Sequence, residues 1–306
     1  MRKLVILGFL LPFCAYLATA LESNNSRSST IILNDNSASD DCRDHLHMGD
    51  SDYRATVRDE ESKTIPNQPL TITAEQNGGI QVTTWDKPEV GLKLCKQVAA
   101  DDENEGRKVL AETHLEINGS NITVHTPEGN HHSLGTLLLV KAPKNANLNL
   151  NVHNGGVSLN GFTGTAEAHA QNGGISFKQS TGTLTAKAQN GGISIKDCGG
   201  DVNATVENGG LSITLPEHWE GKGLEAHARN GGLVVAVPKN FNGGLEVVAS
   251  EYTSITCKDE VCNAGERTWD NGHKLFRLGG SNPQVRAETE NGGIVIEERS
   301  HSRGEL

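Results

Sequence analysis

Asn-Gly-Gly followed by an aliphatic residue occurs at Asn154, Asn172, Asn190 and Asn208, each copy 18 residues after the last. A constant period constrains a chain more than composition does, because it means that one supersecondary unit is stacked on copies of itself. The next unit is 22 residues long and reaches Asn230. A second step of 22 lands on Tyr252-Thr253-Ser254-Ile255, a degenerate copy in which the Asn and both glycines are replaced. A last copy, Asn291-Gly292-Gly293-Ile294, follows a longer insertion, and an early one begins at Asn77. Asn242 is out of phase and marks a different corner.

A second glycine recurs within the units, at Gly164, Gly182 and Gly200, and Gly244 holds the matching place later. Two corners divide each unit into two short strands, and glycine is expected there for its tolerance of positive φ. Between corners the pattern alternates with period two. Val157/Leu159, Ile175/Phe177, Ile193/Ile195 and Leu211/Ile213 fall on one face, with Ser158, Ser176, Ser194 and Ser212 on the other. In the second strand Ala166/Ala168, Leu184/Ala186, Val202/Ala204 and Leu224/Ala226 point inward, alternating with Glu167, Thr185, Asn203 and Glu225. This is the pattern of half-buried strands.

Two architectures fit: a β-solenoid with one coil per unit, and an antiparallel meander, since Asn-Gly is a hairpin signal. The constant unit length favours the solenoid, because a coil that changes length must bulge whereas hairpins tolerate variable loops. Equivalent residues then stack about 4.8 Å apart. The fold class expected is all-β, a solenoid of two-strand coils of 18–22 residues with one short helix in the N-terminal part. Asn154, Asn172, Asn190, Asn208, Asn230 and Asn291 form a corner column whose amides are expected to bond along the stack, as in cross-β ladders. Such a chain needs no thick core, which fits 35 glycines against only 3 Trp, 3 Tyr and 6 Phe.

Residues 1–20 read as a secretory signal peptide: Arg2 and Lys3, an apolar run from Leu4 to Leu17, and the small-x-small site Ala18-Thr19-Ala20. No later run is long and apolar enough to span a bilayer. Its removal takes Lys+Arg from 27 to 25 against 38 Asp+Glu, a net charge of 25 − 38 = −13. That excludes nucleic acid and anionic membrane surfaces, which bind clustered Lys and Arg. The C-terminal Arg303-Gly304-Glu305-Leu306 matches an ER-retention tetrapeptide at only two of four positions. Cys42, Cys95, Cys198, Cys257 and Cys262 remain, and spacing leaves 15 ways to form two bridges. Cys257–Cys262 and then Cys42–Cys95 are the pairings favoured, with Cys198 free; an exported protein can hold them.

Residues 21–64 read as a flexible, Ser-, Asn- and Asp-rich leader. Residues 65–150 read as a β-rich part with strands near Leu70–Thr84 and Val90–Leu94, a turn at Trp85-Asp86-Lys87-Pro88, and a helix near residues 99–113. Residues 151–306 are the repeat, interrupted by an insertion at residues 257–288. Pro143, Pro216 and Pro238 each follow an apolar strand at a corner, where no ladder donor is needed. The unit from Ala228 is apolar on both faces, with Val234, Ala236 and Val248 outward, so it is expected to be capped by the insertion with Trp269 and Phe276, an exposed patch for a partner being the alternative.

Chemistry-bearing motifs are few. His45-x-His47 and His131-His132 lack a zinc-site spacing, and His153, His169 and His227 suggest a histidine strip for which no partner carboxylate is evident. P-loop, G-x-S-x-G, H-E-x-x-H and calcium-repeat signatures are absent. A regular Thr strip, as ice binding would want, is absent too. No catalytic, cofactor-binding or metal-ligating residue is assigned, and no cofactor is implied.

Leu70–Leu94, with Asn77-Gly78-Gly79-Ile80-Gln81-Val82 and Trp85-Asp86, resembles the opening of the DUF4097-type adhesin-like domain family of bacteria. Leu138-Leu139-Val140-Lys141-Ala142-Pro143-Lys144, then Leu148 and the Asn-Gly-Gly coils, continue the resemblance over roughly residues 65–297. It implies a solenoid-like cell-envelope protein and supplies no site residues; the cysteines and the insertion depart from its pattern. The function expected is an exported, non-enzymatic solenoid, an adhesin or envelope scaffold binding a surface polymer or protein. The alternatives are a carbohydrate-active enzyme on a β-helix and a stress-linked periplasmic protein acting through a partner. Location is expected in the periplasm, on the cell surface or outside the cell.

Overall fold

The computed structural model describes residues 31–32, 39–48, 53–129, 132–241, 243–279 and 282–299. Residues 1–20, read as a signal peptide, most of residues 21–38, read as leader, His131, Asn242 and the C-terminal tetrapeptide lie outside the described residues.

In chain order, β1 (Ile31–Ile32), α1 (Cys42–His45) and β2 (His47–Met48) precede three long strands, β3 (Ala55–Pro66), β4 (Leu70–Trp85) and β5 (Glu89–Ala100). Helix α2 (Glu103–Glu112), the hairpin β6 (His114–Asn118) and β7 (Asn121–His125), and β8 (His132–Pro143) follow. The repeat then alternates long and short strands: β9 (Asn147–Asn154), β10 (Val157–Asn160), β11 (Thr165–Asn172), β12 (Ile175–Lys178), β13 (Thr183–Asn190), β14 (Ile193–Lys196), β15 (Asp201–Asn208), β16 (Leu211–Thr214), β17 (Gly223–Asn230) and β18 (Leu233–Val237). β19 (Leu245–Ser250), β20 (Ile255–Cys257), β21 (Gly265–Asp270), β22 (His273–Leu278), β23 (Val285–Asn291) and β24 (Ile294–Glu298) complete the chain.

The repeat is a solenoid and not a meander. Each strand pairs in parallel with its equivalent one unit away, long with long and short with short, as in Thr165↔Thr183 and Ile175↔Ile193. A coil of 18 residues keeps this register without slippage, and inward and outward positions therefore never exchange. The inward residues of both sheets form one continuous core from Leu70 to Ile296. Alanines at Ala168, Ala186, Ala204 and Ala226 face larger residues such as Leu159, Phe177, Ile195 and Ile213, all buried, so each coil is thin.

Glycine is required at the corners mainly for space. A Cβ on Gly173 would stand 1.7 Å from the Gly155 carbonyl oxygen, and one on Gly182 would stand 1.8 Å from that of Gly164. Neither has positive φ, and there the backbones of successive rungs approach too closely for a side chain; Gly200 (φ 88°) and Gly244 (φ 69°) do take the left-handed corner expected. The second glycine is under no such pressure at Gly210, Gly232 and Gly293, where a Cβ meets nothing nearer than 3.7 Å.

Order along the stack departs from order along the chain at both ends. β4 contributes its first half to the long-strand sheet and its second half to the short-strand sheet, and it lies between the β7/β8 rung and the β9/β10 rung. Likewise β23/β24, the last rung in sequence, lies between β17/β18 and β19/β20. At each end of the stack one rung is thus inserted out of chain order. Antiparallel strands close both ends: β6 beyond β7, β5 and β3 beyond β8, and β22 and β21 beyond β19.

Several expectations need correction. Ala55–Thr64, read as leader, belongs to a twelve-residue strand, Ala55–Pro66, paired along its whole length with β5; its run of charges hid it, because an edge strand exposes most of its side chains. The helix is Glu103–Glu112, since Ala99 and Ala100 still belong to β5. It starts on Asp102, whose side chain accepts from Asn104 N and Glu105 N, and ends on Lys96, whose ammonium donates to Leu110 O and Thr113 O at 3.1 Å each. The insertion covers only part of the unit from Ala228. Its hairpin β21–β22 extends the end rung β19 edge to edge, burying Phe276 and Val248 while Val234 stays half-buried beside Val295.

Candidate functional site

The long-strand sheet turns a flat face to solvent, and its outward side chains stand in columns. One column runs Asn149, Glu167, Thr185, Asn203, Glu225, Arg286 and Glu246; the next runs Asn151, His169, Lys187, Thr205, His227, Glu288 and Val248. Parallel strands at constant register fix this spacing, so the face is a grid of polar groups on a rigid support.

Several charges on the face are paired. Glu167 accepts from His169 Nε2 at 2.9 Å and from Lys187 Nζ at 3.1 Å, and these neighbours, the lysine first, hold its carboxyl below the usual range. His227 Nε2 lies 3.2 Å from Glu290 Oε1, with Arg229 on the other carboxylate oxygen at 3.7 Å. Glu246 is clamped by Arg277 at 2.7 Å and approached by Arg286 at 3.6 Å. The histidine strip is therefore corrected twice. His169 and His227 are not neighbours, because Lys187 and Thr205 intervene in their column, and each does have a carboxylate partner. His45 is buried with Nε2 against Ser39 O at 2.7 Å. Among the described residues no group of three or more His, Cys, Asp or Glu is arranged to hold a metal.

Along one edge of this face runs the asparagine column. Asn172 Nδ2 donates to Asn154 Oδ1 at 3.0 Å, Asn190 to Asn172 at 3.0 Å, Asn208 to Asn190 at 3.2 Å, Asn230 to Asn208 at 3.1 Å and Asn291 to Asn230 at 3.1 Å. All five bonds point the same way, so the amides polarise one another along the stack. Asn77 is in register with Asn154 across an irregularity in β4.

The cysteines fall into two bridges, Cys42–Cys95 and Cys257–Cys262, and Cys198 is a buried thiol. The first bridge fastens α1 to β5, where Leu46 packs with Leu137 and Leu139 on the outer face of the short-strand sheet. Lys93 Nζ adds a bond to Asp40 O at 2.9 Å, and Lys141 pairs with the Asp40 carboxylate. The second bridge closes the turn between β20 and the hairpin. What sequence reasoning missed was Arg299, which donates to Asp197 Oδ1 at 2.5 Å and Leu215 O at 3.0 Å while its own N–H reaches Val237 O. It staples the last described residue across three rungs, and a lone arginine beyond a repeat carries no sequence signal for that.

No family model matches the sequence, and no curated protein matches it. Similar solved structures include a candidate cell adhesion protein from Clostridium sporogenes, 10% identical with a TM-score of 0.33 over 79% of this chain and 100% of that one. Another is a candidate adhesin from Bacteroides fragilis, 11% identical with a TM-score of 0.29 over 79% and 97% of the two chains. A third is a candidate lipid binding protein from Parabacteroides distasonis, 11% identical with a TM-score of 0.26 over 78% and 96%.

Proposed function

We propose that the protein is exported and acts as a non-enzymatic solenoid that binds a surface polymer or protein through its outward side chains. The observation that carries this is the state of its acidic groups. Every carboxyl among the described residues with a resolved shift, Asp41, Asp59, Glu167 and Glu260, is held below its ordinary value by a neighbouring cation. A general acid needs the opposite, a carboxyl raised by burial or by a second carboxylate. Ion-paired groups at fixed spacing suit recognition, where each fits a complementary group at little ordering cost. The two disulfides support an oxidising compartment.

The test is incubation of the processed protein with isolated cell-envelope material and with acidic and neutral polysaccharides. Binding without turnover is expected, weakened by the pair Glu167→Lys and Glu225→Lys. Polysaccharide cleavage abolished by one outward acidic substitution would overturn the proposal in favour of an enzyme.

A further inference from the structure

Among the described residues the large apolar side chains that stand exposed are Tyr252, at 91%, and Trp269, at 58%. In a chain with so few aromatics, both occur at one corner of the C-terminal cap. Ser250 and Asp270 are each in register with His273, so the corner after β19 and the tip of the β21–β22 hairpin adjoin. Lys274 links them: its ammonium donates to Thr253 O at 2.9 Å and lies 5.9 Å from the centre of the Trp269 ring.

The corner also departs from the repeat. Between Ala249↔Thr289 and Ile255↔Ile294, the end rung runs through residues 250–254, one more than residues 290–293 beneath it. The extra length carries Tyr252 outward, and its hydroxyl is bonded to Glu251. The amide ladder stops here. Asn291 donates to Asn230, but the end rung supplies no asparagine amide, and among the described residues no donor reaches Asn291 Oδ1. The polarised chain of amides therefore ends in an open acceptor beneath the end rung that carries Tyr252.

We propose that this corner is a binding site for a neutral carbohydrate chain; the proposal rests on the binding function above and names its ligand class. Aromatic faces carry negative charge density and attract the polarised C–H face of a sugar ring, and an open amide oxygen accepts from a sugar hydroxyl. Glu251 and Asp270 stand next to the rings in the chain, and Lys274 is already engaged, so an acidic sugar would be repelled. A protein partner fits less well, because a stable interface needs an apolar centre within roughly 800 Å² per side, and two rings set among charged groups do not supply it.

The processed protein is titrated with cellohexaose, maltohexaose, mannohexaose and polygalacturonate, followed by calorimetry and by acrylamide quenching of tryptophan fluorescence. At least one neutral hexaose is expected to bind and to shield Trp269 from quencher, with no comparable binding of polygalacturonate. Trp269→Ala and Tyr252→Ala should each weaken binding at least tenfold. Tyr252→Asn should weaken it equally without lowering Tm, which separates a contact from a structural role. Arg107→Ala, on the exposed face of α2 at the opposite end, should leave hexaose affinity unchanged. Failure of all three hexaoses to bind, preference for polygalacturonate, or full affinity in the two alanine variants would each overturn the site. Envelope binding lost in the face pair but kept in the corner variants would do the same while leaving the general binding function standing.

Discussion

At the scale of single residues, Gly173 and Gly210 look alike in sequence and are held to different standards by the stack. A methyl group on Gly173 collides with backbone of the next rung, which cannot move without breaking the parallel ladder, whereas one on Gly210 enters ordinary contact distance. Gly173→Ala is expected to cost at least about 3 kcal/mol, at or beyond the upper end of overpacking penalties, and Gly210→Ala to stay within about 0.5 kcal/mol; urea titration of both variants checks the contrast. Cys198 gives a second prediction at this scale. Burial pushes its thiol up to about 12, so almost no thiolate exists at neutral pH and attack on a disulfide reagent is suppressed. The protein with residues 1–20, and so Cys14, removed is expected to show no fast thiol reaction when folded, and one equivalent on unfolding without reductant. A fast native equivalent would mean that the corner breathes at Ser180 and Cys198.

Among the elements, the hairpin β21–β22 and the strand β3 do the same work at opposite ends, pairing antiparallel with an outer strand that would otherwise present open hydrogen-bonding groups. Because the hairpin covers the edge of β19 and not the face of β18, two valines that sequence treats alike should separate. Val248→Ser is expected to cost about 2 kcal/mol, as burial of a valine side chain implies, and Val234→Ser less than half of that; thermal melts at matched concentration read the difference. Near the other end, Asp59 joins β3 to Lys96 at 2.8 Å, and that lysine, by hydrogen bond first, lowers the Asp59 carboxyl from 3.8. A lowered folded pKa means that the contribution is present above the unfolded value and is lost as pH falls through the folded one. Asp59→Asn should therefore be less stable than the parent at about pH 6, by under ~1 kcal/mol for so exposed a partner, and the gap should close as pH falls below the ordinary carboxyl value of 3.8. Denaturant midpoints across that range test the sign; a gap that widens in acid contradicts it.

For the whole molecule, the solenoid, its coil length and the asparagine column were legible from a period of 18, because parallel stacking copies sequence period directly into space. The order of rungs was not. A parallel rung accepts any neighbour with the same inward pattern, and Val285, Ala287, Ile294 and Ile296 match Leu224, Ala226, Leu233 and Val235 as well as they match Leu245, Val247 and Ile255. The aromatic corner was legible only in part: Trp269 stands out by rarity, while the neighbourhood of Tyr252 follows from an insertion whose pairing no periodicity encodes. The interlocking of the ends has a consequence for stability. β19 and β20 meet the body of the solenoid through β23 and β24, so the last fifteen residues of the fold hold in place a segment that precedes them. A chain ending at Gln284 is expected to lose amide protection across residues 245–278 as well, while β11 to β15 keep theirs, since each retains both neighbours. Direct docking of β19 onto β17 is disfavoured because the end rung carries Thr253 and one extra residue where the corner beneath it has Gly292. Hydrogen exchange on the truncated chain, with and without a peptide of residues 285–299, measures this: the peptide should restore protection to residues 245–278, and full protection without it would show that the rungs are interchangeable.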